Sequence, residues 1–421
     1  MGRFLPGPFP AAWNSDNPQL SDHLPTVVRT SSSSNSSLSS QSSLPSVPSL
    51  TPPLPDQTAA AHYSCSATLR GHSSYVFSLA LAGNRLYSGA SDGEMRAWDR
   101  TLSNSSNDYS PRDNVVGEGY SAVKSIIISG DKLFSAHQDQ KIRVWRIDGS
   151  PAPNQRYKMV AILPTLSDSC MSLFDAGKYV RIRRHKTRTW VHHVDAVSGL
   201  ALSPESSLLY SVSWDRSFKI WRTSDYKCIE SVQDAHADAI NAVVLSAADG
   251  FVYTASADKT IKVWRRCSGA AAGDRKHSLV STLEKHKSAV NALALSSDGA
   301  VLYSGACDRS IIVWRRRGGD SAASPHMVVA GALRGHTKAI LCLATVSDLV
   351  CSGSADRTVR IWRRSDGGNY SFVAALEGHS TPVKCLTAEP GGDGDGDDYQ
   401  IYSGALDCEI RVWQIHAPRI N

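Results

Sequence analysis

Residues 254–264 read TASADKTIKVW: a hydroxyl at Thr254, an aspartate four positions on at Asp258, and a tryptophan six positions further at Trp264. The same spacing recurs at Ser88, Asp92 and Trp98; at Ser135, Asp139 and Trp145; and at Ser211, Asp215 and Trp221. It returns at Ser304, Asp308 and Trp314, at Ser352, Asp356 and Trp362, and at Ser403, Asp407 and Trp413. Seven copies of S/T-x3-D-x5-W are not accidental, and a period of about 40 to 50 residues is the mark of a repeat architecture. A histidine precedes six of the seven copies, at His72, His193, His236, His286, His336 and His379, each followed four residues later by Val or Ile. The second copy has Gly119 in that place, so its polar chain is expected to be incomplete.

The runs AINAVVLS, AVNALALS and AILCLATV are short, β-rich and apolar, as inner strands buried between neighbours should be, whereas TIKVW, TVRIW and EIRVW alternate polar and apolar. Each repeat therefore predicts a four-stranded antiparallel sheet. The histidine, hydroxyl, aspartate and tryptophan of one repeat are suited to a buried hydrogen-bonded chain. A catalytic triad is the other reading of these residue types, but one protein does not carry six near-identical active sites at a fixed period. A buried, charge-assisted hydrogen bond contributes about 1.5 to 3 kcal/mol, enough to pin a blade's loops, so all these residues are assigned to the scaffold.

Three of the histidines follow glycine, at Gly71, Gly335 and Gly378, and with the tryptophans they make the chain resemble WD40 repeats. The residue after tryptophan is aspartate only at Asp99; elsewhere it is Arg146, Arg222, Arg265, Arg315, Arg363 or Gln414. That departure leaves the fold intact, since the tryptophan is expected to pack inside the blade while the next residue leaves it. The resemblance implies an all-β, seven-bladed WD40 β-propeller over residues 63–416, with 417–421 as a short tail. The last repeat stops after its third strand, in IRVWQIHAPRIN, and SCSATLR at 64–70 is expected to supply the missing fourth strand and leave no unpaired edge.

Residues 1–62 differ in kind. The run TSSSSNSSLSSQSSLPSVPSLTPPLP cannot bury enough apolar surface to offset its chain entropy and is expected to be disordered. A plastid transit peptide is the alternative, weakened by the presence of only Arg3 and Arg29. The nine cysteines are scattered and never spaced as CxxC, which argues for reduced thiols rather than disulfides or zinc. No apolar run is long enough to span a membrane as a helix, and the net charge of +6 is too small to name nucleic acid as a partner. The protein is expected in the cytosol, the nucleus or both, with no cofactor and no metal.

The period breaks between Trp145 and Trp221. RYKMVAILP at 156–164 reads as a fourth strand, leaving residues 165–189 as a long inserted loop that carries Lys178, Arg181, Arg183, Arg184, Lys186 and Arg188. A solvated loop, an anionic-partner surface and a nuclear-import signal are all compatible with such a run. The stretch YVRIRRHKTRTWVHHVDAVSGLALS and the block SVSWDRSFKIW resemble a group of plant WD-repeat proteins named after JINGUBANG, which implies a regulatory protein acting through partners, with transcription as one route.

Topology puts the fourth-to-first-strand loops and the aspartate turns on one rim, with Arg222, Arg265, Arg266, Arg315, Arg316, Arg317, Arg363, Arg364 and the loop GGDGDGDD on the other. Candidate contacts for protein partners on the first rim are Tyr75, Asp195, Trp214, Asp238, Lys338, Arg181, Arg183, Arg184 and Arg188. Trp214 fits the aromatic-plus-arginine composition of binding hot spots, or else it packs under the insertion. Two other functions rank lower. Substrate receptors of cullin-RING ubiquitin ligases tend to carry Trp-Asp-x-Arg, and Trp98-Asp99-Arg100-Thr101 misses that pattern by one position. Direct nucleic-acid binding has only RIRRHKTR to recommend it, without a recognisable module or interleaved aromatics. No Gly-rich phosphate loop, HExxH or GxSxG motif suggests an enzyme.

Overall fold

A computed structural model describes residues 47–50, 62–100, 115–118, 121–148, 156–165, 179–183, 186–267, 276–316, 327–365, 367–391 and 397–418. These residues form seven four-stranded antiparallel sheets and one two-stranded hairpin. Blade 4 shows the pattern: Ile240–Leu245, Val252–Ser256, Thr260–Arg266 and His277–Glu284 pair in chain order. The first strands of successive blades pack on one another all the way round, Val383–Pro390 of blade 7 against Val76–Ala82 of blade 1 included. The ring is closed, and the fold is the seven-bladed, all-β propeller that the repeats predict.

Closure uses the expected strand. His62–Leu69 runs antiparallel to Ile410–His416, from His62 opposite His416 to Leu69 opposite Ile410, and completes blade 7. The expectation of a disordered tail falls mostly on residues 1–46 and 51–61, which lie outside the described residues. Val47 to Leu50 depart from it, because they pair with blade 5. The insertion also departs from a plain loop: Tyr179–Arg183 pairs antiparallel with Lys186–Thr189, an arrangement the alternation of Val and Ile with basic residues in YVRIR allows.

The apolar residues collect in seven clusters, each lying between two adjacent blades. Each cluster holds the tryptophan of the later blade: Trp264, for example, packs among Tyr210, Val212, Phe218 and Ile220 of blade 3. This corrects the expectation that the tryptophan stays inside its own blade. Strand side chains alternate faces, so one blade can feed two cores. Tyr253 of blade 4 faces blade 5 in the cluster of Trp314, while Trp264 on the paired strand faces blade 3.

All seven aspartate turns share one geometry. The Oδ1 of Asp92, Asp139, Asp215, Asp258, Asp308, Asp356 and Asp407 accepts the amide two residues on, at 2.9 to 3.3 Å. The intervening residue, Gly93, Gln140, Arg216, Lys259, Arg309, Arg357 or Cys408, is left-handed in each case. An Asx-type turn stabilised by its own carboxylate is what lets six non-glycine residues occupy that region.

On the opposite rim the arginines two positions after tryptophan tie blades together. Arg316 of blade 5 pairs with Asp249 of blade 4, Arg364 of blade 6 with Asp298 of blade 5 at 3.2 Å, and Arg100 of blade 1 with Glu389 of blade 7. Arg363 lies 3.1 Å from Asp348 and donates to the carbonyls of Ala417 and Pro418, and Arg315 donates to the Gly368 carbonyl. Arg317 lies outside the described residues.

Removing residues 1–70 strips blade 7 of its closing strand and is expected to lower the melting temperature by on the order of 10 °C, whereas removing 1–45 leaves it unchanged. Equal melts for the two truncations would show that the ring does not depend on this strand.

Candidate functional site

Five blades carry the polar chain in full. In blade 4 the Trp264 indole donates to Thr254 Oγ1 at 2.9 Å, that hydroxyl meets His236 Nε2 at 2.7 Å, and His236 Nδ1 meets Asp258 Oδ2 at 2.9 Å. Blades 3, 5, 6 and 7 repeat it through Ser211 with His193 and Asp215, Ser304 with His286 and Asp308, Ser352 with His336 and Asp356, and Ser403 with His379 and Asp407. An indole N–H can only donate, so the hydroxyl accepts it and passes its own hydrogen to Nε2, leaving Nδ1–H for the carboxylate. Burial alone would raise the pKa of Asp308, but the bond and charge of His286, the Ser310 hydroxyl and the Lys287 amide outweigh it and draw the carboxyl down to about 2. Asp215, Asp258, Asp356 and Asp407 are held low in the same way against the same burial.

Blades 1 and 2 are wired differently. His72 meets Ser88 at 2.6 Å, but Glu94 rather than Asp92 lies beside its Nδ1, at 3.3 Å. Asp92 instead accepts from Ser73 at 2.8 Å. In blade 2, where Gly119 lies outside the described residues, His137 takes the vacant place. Its Nε2 meets Ser135 at 2.8 Å, its Nδ1 donates to the Ser121 carbonyl at 3.1 Å, and Trp145 donates to Ser135 at 3.0 Å. The expected gap is therefore filled from the second strand, and Asp139 turns to Arg143 at 2.6 Å. His137 sits two residues after Ser135, a signal that comparison of the seven repeats could have found, because no other repeat has histidine there.

These chains sit on the rim formed by the aspartate turns and the loops entering each first strand, which backbone bonds knit together in all seven blades. Trp214 N donates to the Ala196 carbonyl at 3.1 Å, and Ser91, Gln138, Ala257, Cys307, Ala355 and Leu406 do likewise to Tyr75, Ala122, Ala239, Ala289, Ala339 and Pro382.

Trp214 is half-buried, and Lys124 Nζ lies 5.2 Å from its ring centroid and 4.3 Å from that of Phe77. The half-exposed Tyr75 ring continues the cluster at 6.5 Å from Phe77. Phe77, Lys124 and Trp214 come from blades 1, 2 and 3, so three blades converge here. Burial, and then the positive charge of Lys384, push the Lys124 ammonium down to about 8; burial likewise lowers Lys384.

Phe77, Lys124 and Lys384 were not among the sequence candidates. They occupy the fifth position after the histidine site, where blades 3, 4 and 5 have Ser198, Asn241 and Asn291, each of which donates to the first-strand carbonyl of the next blade. Cys342 and Cys385, one residue further on, make the corresponding reach by thiol to Val383 and Val76, at 3.7 Å each.

The other candidates are more dispersed. Asp195 and Asp238 are exposed, but each carboxylate accepts its neighbour's amide at 2.7 Å. Lys338 is exposed on blade 6. Arg181, Arg183 and Arg188 lie in the inserted hairpin, whose register sets Val180 opposite Arg188, and Arg184 lies outside the described residues. The hairpin's exit is fastened by buried Lys219, which donates to the Trp190 carbonyl at 2.6 Å. All cysteines among the described residues are free thiols, and no group of three His, Cys, Asp or Glu among them could hold a metal ion.

A family model described as WD domain, G-beta repeat matches residues 63–99, 184–222, 226–265, 277–315, 328–363 and 370–414, more than half of the chain. The chain belongs to the WD-repeat family. Five of the six matched segments run from an outer fourth strand to the third strand of the next blade, so each WD repeat straddles two blades. The unmatched gap falls on blade 2, where His137 replaces the usual loop histidine. No curated protein matches the chain.

Trp264→Ala or Trp362→Ala, each opening a void between two blades, is expected to cost about 3 to 5 kcal/mol in thermal or chemical unfolding. A second expectation concerns pH. Burial, then Arg143, pull His137 down to about 4, so folding favours the neutral ring, and the unfolded chain takes up the proton first. Stability should fall as pH drops from about 6.5 to 4. In His137→Gln that slope should be shallower, and identical slopes in the two proteins would contradict the burial of a neutral ring.

Proposed function

We propose that this WD-repeat protein is a non-enzymatic scaffold or regulatory adaptor that holds other proteins on its histidine rim, with blades 1 to 3 as the principal contact. The observation that carries the reading is Lys124, its ammonium set between the rings of Phe77 and Trp214 where blades 1, 2 and 3 converge. A partly desolvated ammonium against aromatic faces interacts with them by up to about 2 kcal/mol. It also remains a strong partner for a carboxylate that arrives with its own apolar surroundings. Aromatic side chains beside a cation are the composition of binding hot spots.

The rest of the surface supports a protein partner over nucleic acid. Arg100, Arg316, Arg363 and Arg364, which would make the opposite rim a phosphate-binding surface, are engaged in ion pairs within the ring. The sequence resemblance of SVSWDRSFKIW and the interrupted third repeat to the JINGUBANG-like plant proteins supports a regulatory role, with transcription as one route and the cytosol, the nucleus or both as its place.

Partners recovered with the wild-type chain should be recaptured far less well by Trp214→Ala, with a loss of about 2 kcal/mol or more in measured affinity. Lys124→Met and the combined Arg181, Arg183, Arg184 and Arg188 to Ala variant should also bind more weakly, all with nearly unchanged melts. Controls on the opposite rim are Arg146→Ala and Lys227→Ala, since Arg315 and Arg316 hold structure. Loss of binding in the controls with normal binding by the Trp214 and Lys124 variants would place the partner on the other face.

A further inference from the structure

The fourth strand of each blade faces outward, and that of blade 5, Met327–Leu333, carries a further segment from far away in sequence. Val47, Pro48, Ser49 and Leu50 lie along it in parallel, with Ser49 opposite Ala332. Ala332 donates its amide to the Pro48 carbonyl at 2.9 Å and accepts the Leu50 amide at 2.9 Å. Arg334 reaches back to the Val47 carbonyl at 2.8 Å. This is strand addition to a sheet edge.

The side chains add selectivity to the backbone pairing. Val47 packs on the core between blades 4 and 5, and Leu50 on the core between blades 5 and 6. Positions three apart in an extended chain point to opposite faces, so these two residues straddle the blade edge. Leu50 sits where Gly331 leaves room: a Cβ on Gly331 would fall 2.4 Å from Leu50 Cγ. The residue paired with the one before tryptophan is Gly331 in blade 5, but Ala161, Ser281, Ala374 and Ala67 in blades 2, 4, 6 and 7. The notch thus belongs to blade 5 among these. Pro48 brings no amide of its own, so the added segment offers fewer donors for yet another strand.

We propose that the outer edge of blade 5 is a docking site for a short extended segment of the pattern Val-Pro-x-Leu, selected by the Gly331 notch, and that the chain's own residues 47–50 occupy it in cis. The inference is independent of the histidine-rim reading, since it concerns a different surface and a different ligand. Four residues make a weak ligand when free, but tethering raises their effective concentration to the millimolar range. The latch closes without a strong intrinsic affinity, and another segment of the same pattern can exchange with it.

Amide hydrogen exchange on the full chain tests this at Ala332, whose amide donates to Pro48. Leu50→Asp should speed exchange at Ala332 at least tenfold while leaving inner-strand amides such as Leu293 unchanged, and Gly331→Val, altering the other side of the contact, should do the same. A fluorescent peptide of residues 44–53 should bind the Leu50→Asp chain and restore protection, but should bind neither the Gly331→Val chain nor, when it carries Asp in place of its leucine, the Leu50→Asp chain. Unchanged Ala332 exchange in Leu50→Asp, or equal peptide binding to the Gly331→Val chain, would overturn the proposal. Protection that is constant on dilution supports the cis occupant; protection that fades on dilution overturns it in favour of a second copy.

Discussion

A tryptophan buried between two blades must put its indole N–H somewhere, and in this ring the acceptor is always the serine or threonine ten residues upstream on the paired strand. Leaving a buried donor unsatisfied costs about 1 to 3 kcal/mol, so the hydroxyl is fixed by the tryptophan, and the hydroxyl's own hydrogen then requires an acceptor. A histidine nitrogen supplies it, and the other nitrogen of that ring requires an acceptor in turn. Each requirement hands the polar chain outward from the apolar core to the rim, where Asp215 or Asp308 meets backbone amides as well. The rim loops are ordered because the core demands it.

What the core demands is chemistry, not one particular residue. Blade 2 satisfies the Ser135 hydroxyl with a histidine from the second strand, and blade 1 sets a glutamate beside the outer nitrogen of His72. Both substitutions keep the donor and acceptor order that the indole imposes. They also free aspartates: Asp92 turns to Ser73 and Asp139 to Arg143. Blades 1 and 2 are the same two blades that place Phe77 and Lys124 beside Trp214, so the rim departs from its period where the aromatic and cationic side chains gather.

Legibility followed the range of the interaction. The hydroxyl, aspartate and tryptophan lie on one hairpin, at fixed separations, and the repeated spacing made the fold readable from the chain alone. The closing strand was readable too, because a repeat that ends after its third strand needs a fourth and the first repeat has one to spare. His137 was not, since its role appears only when the usual histidine is missing. The pairing of Arg316 with Asp249 spans 67 residues and depends on how two blades abut, and Lys124 meets its rings only because three blades converge. Val47 and Leu50 sit in a segment whose composition argues for chain entropy, and what outweighs entropy there is the absence of a side chain at Gly331, nearly 300 residues away.

The two rims can therefore carry different burdens. On one, Arg100, Arg316 and Arg364, each two residues after a tryptophan, are drawn into ion pairs with acidic residues of the preceding blade, and their charges are consumed in holding neighbours in register. On the other, the charged groups of the period are consumed as well, but within each blade, by histidine and aspartate. Charge left over for a partner must come from positions outside the period. Lys124, against the rings of Phe77 and Trp214, is such a position. A ring built from near-identical units has no other way to mark one sector as different, and in this chain separate departures mark two places: Phe77 and Lys124 the sector around Trp214, and a missing side chain the edge at Gly331.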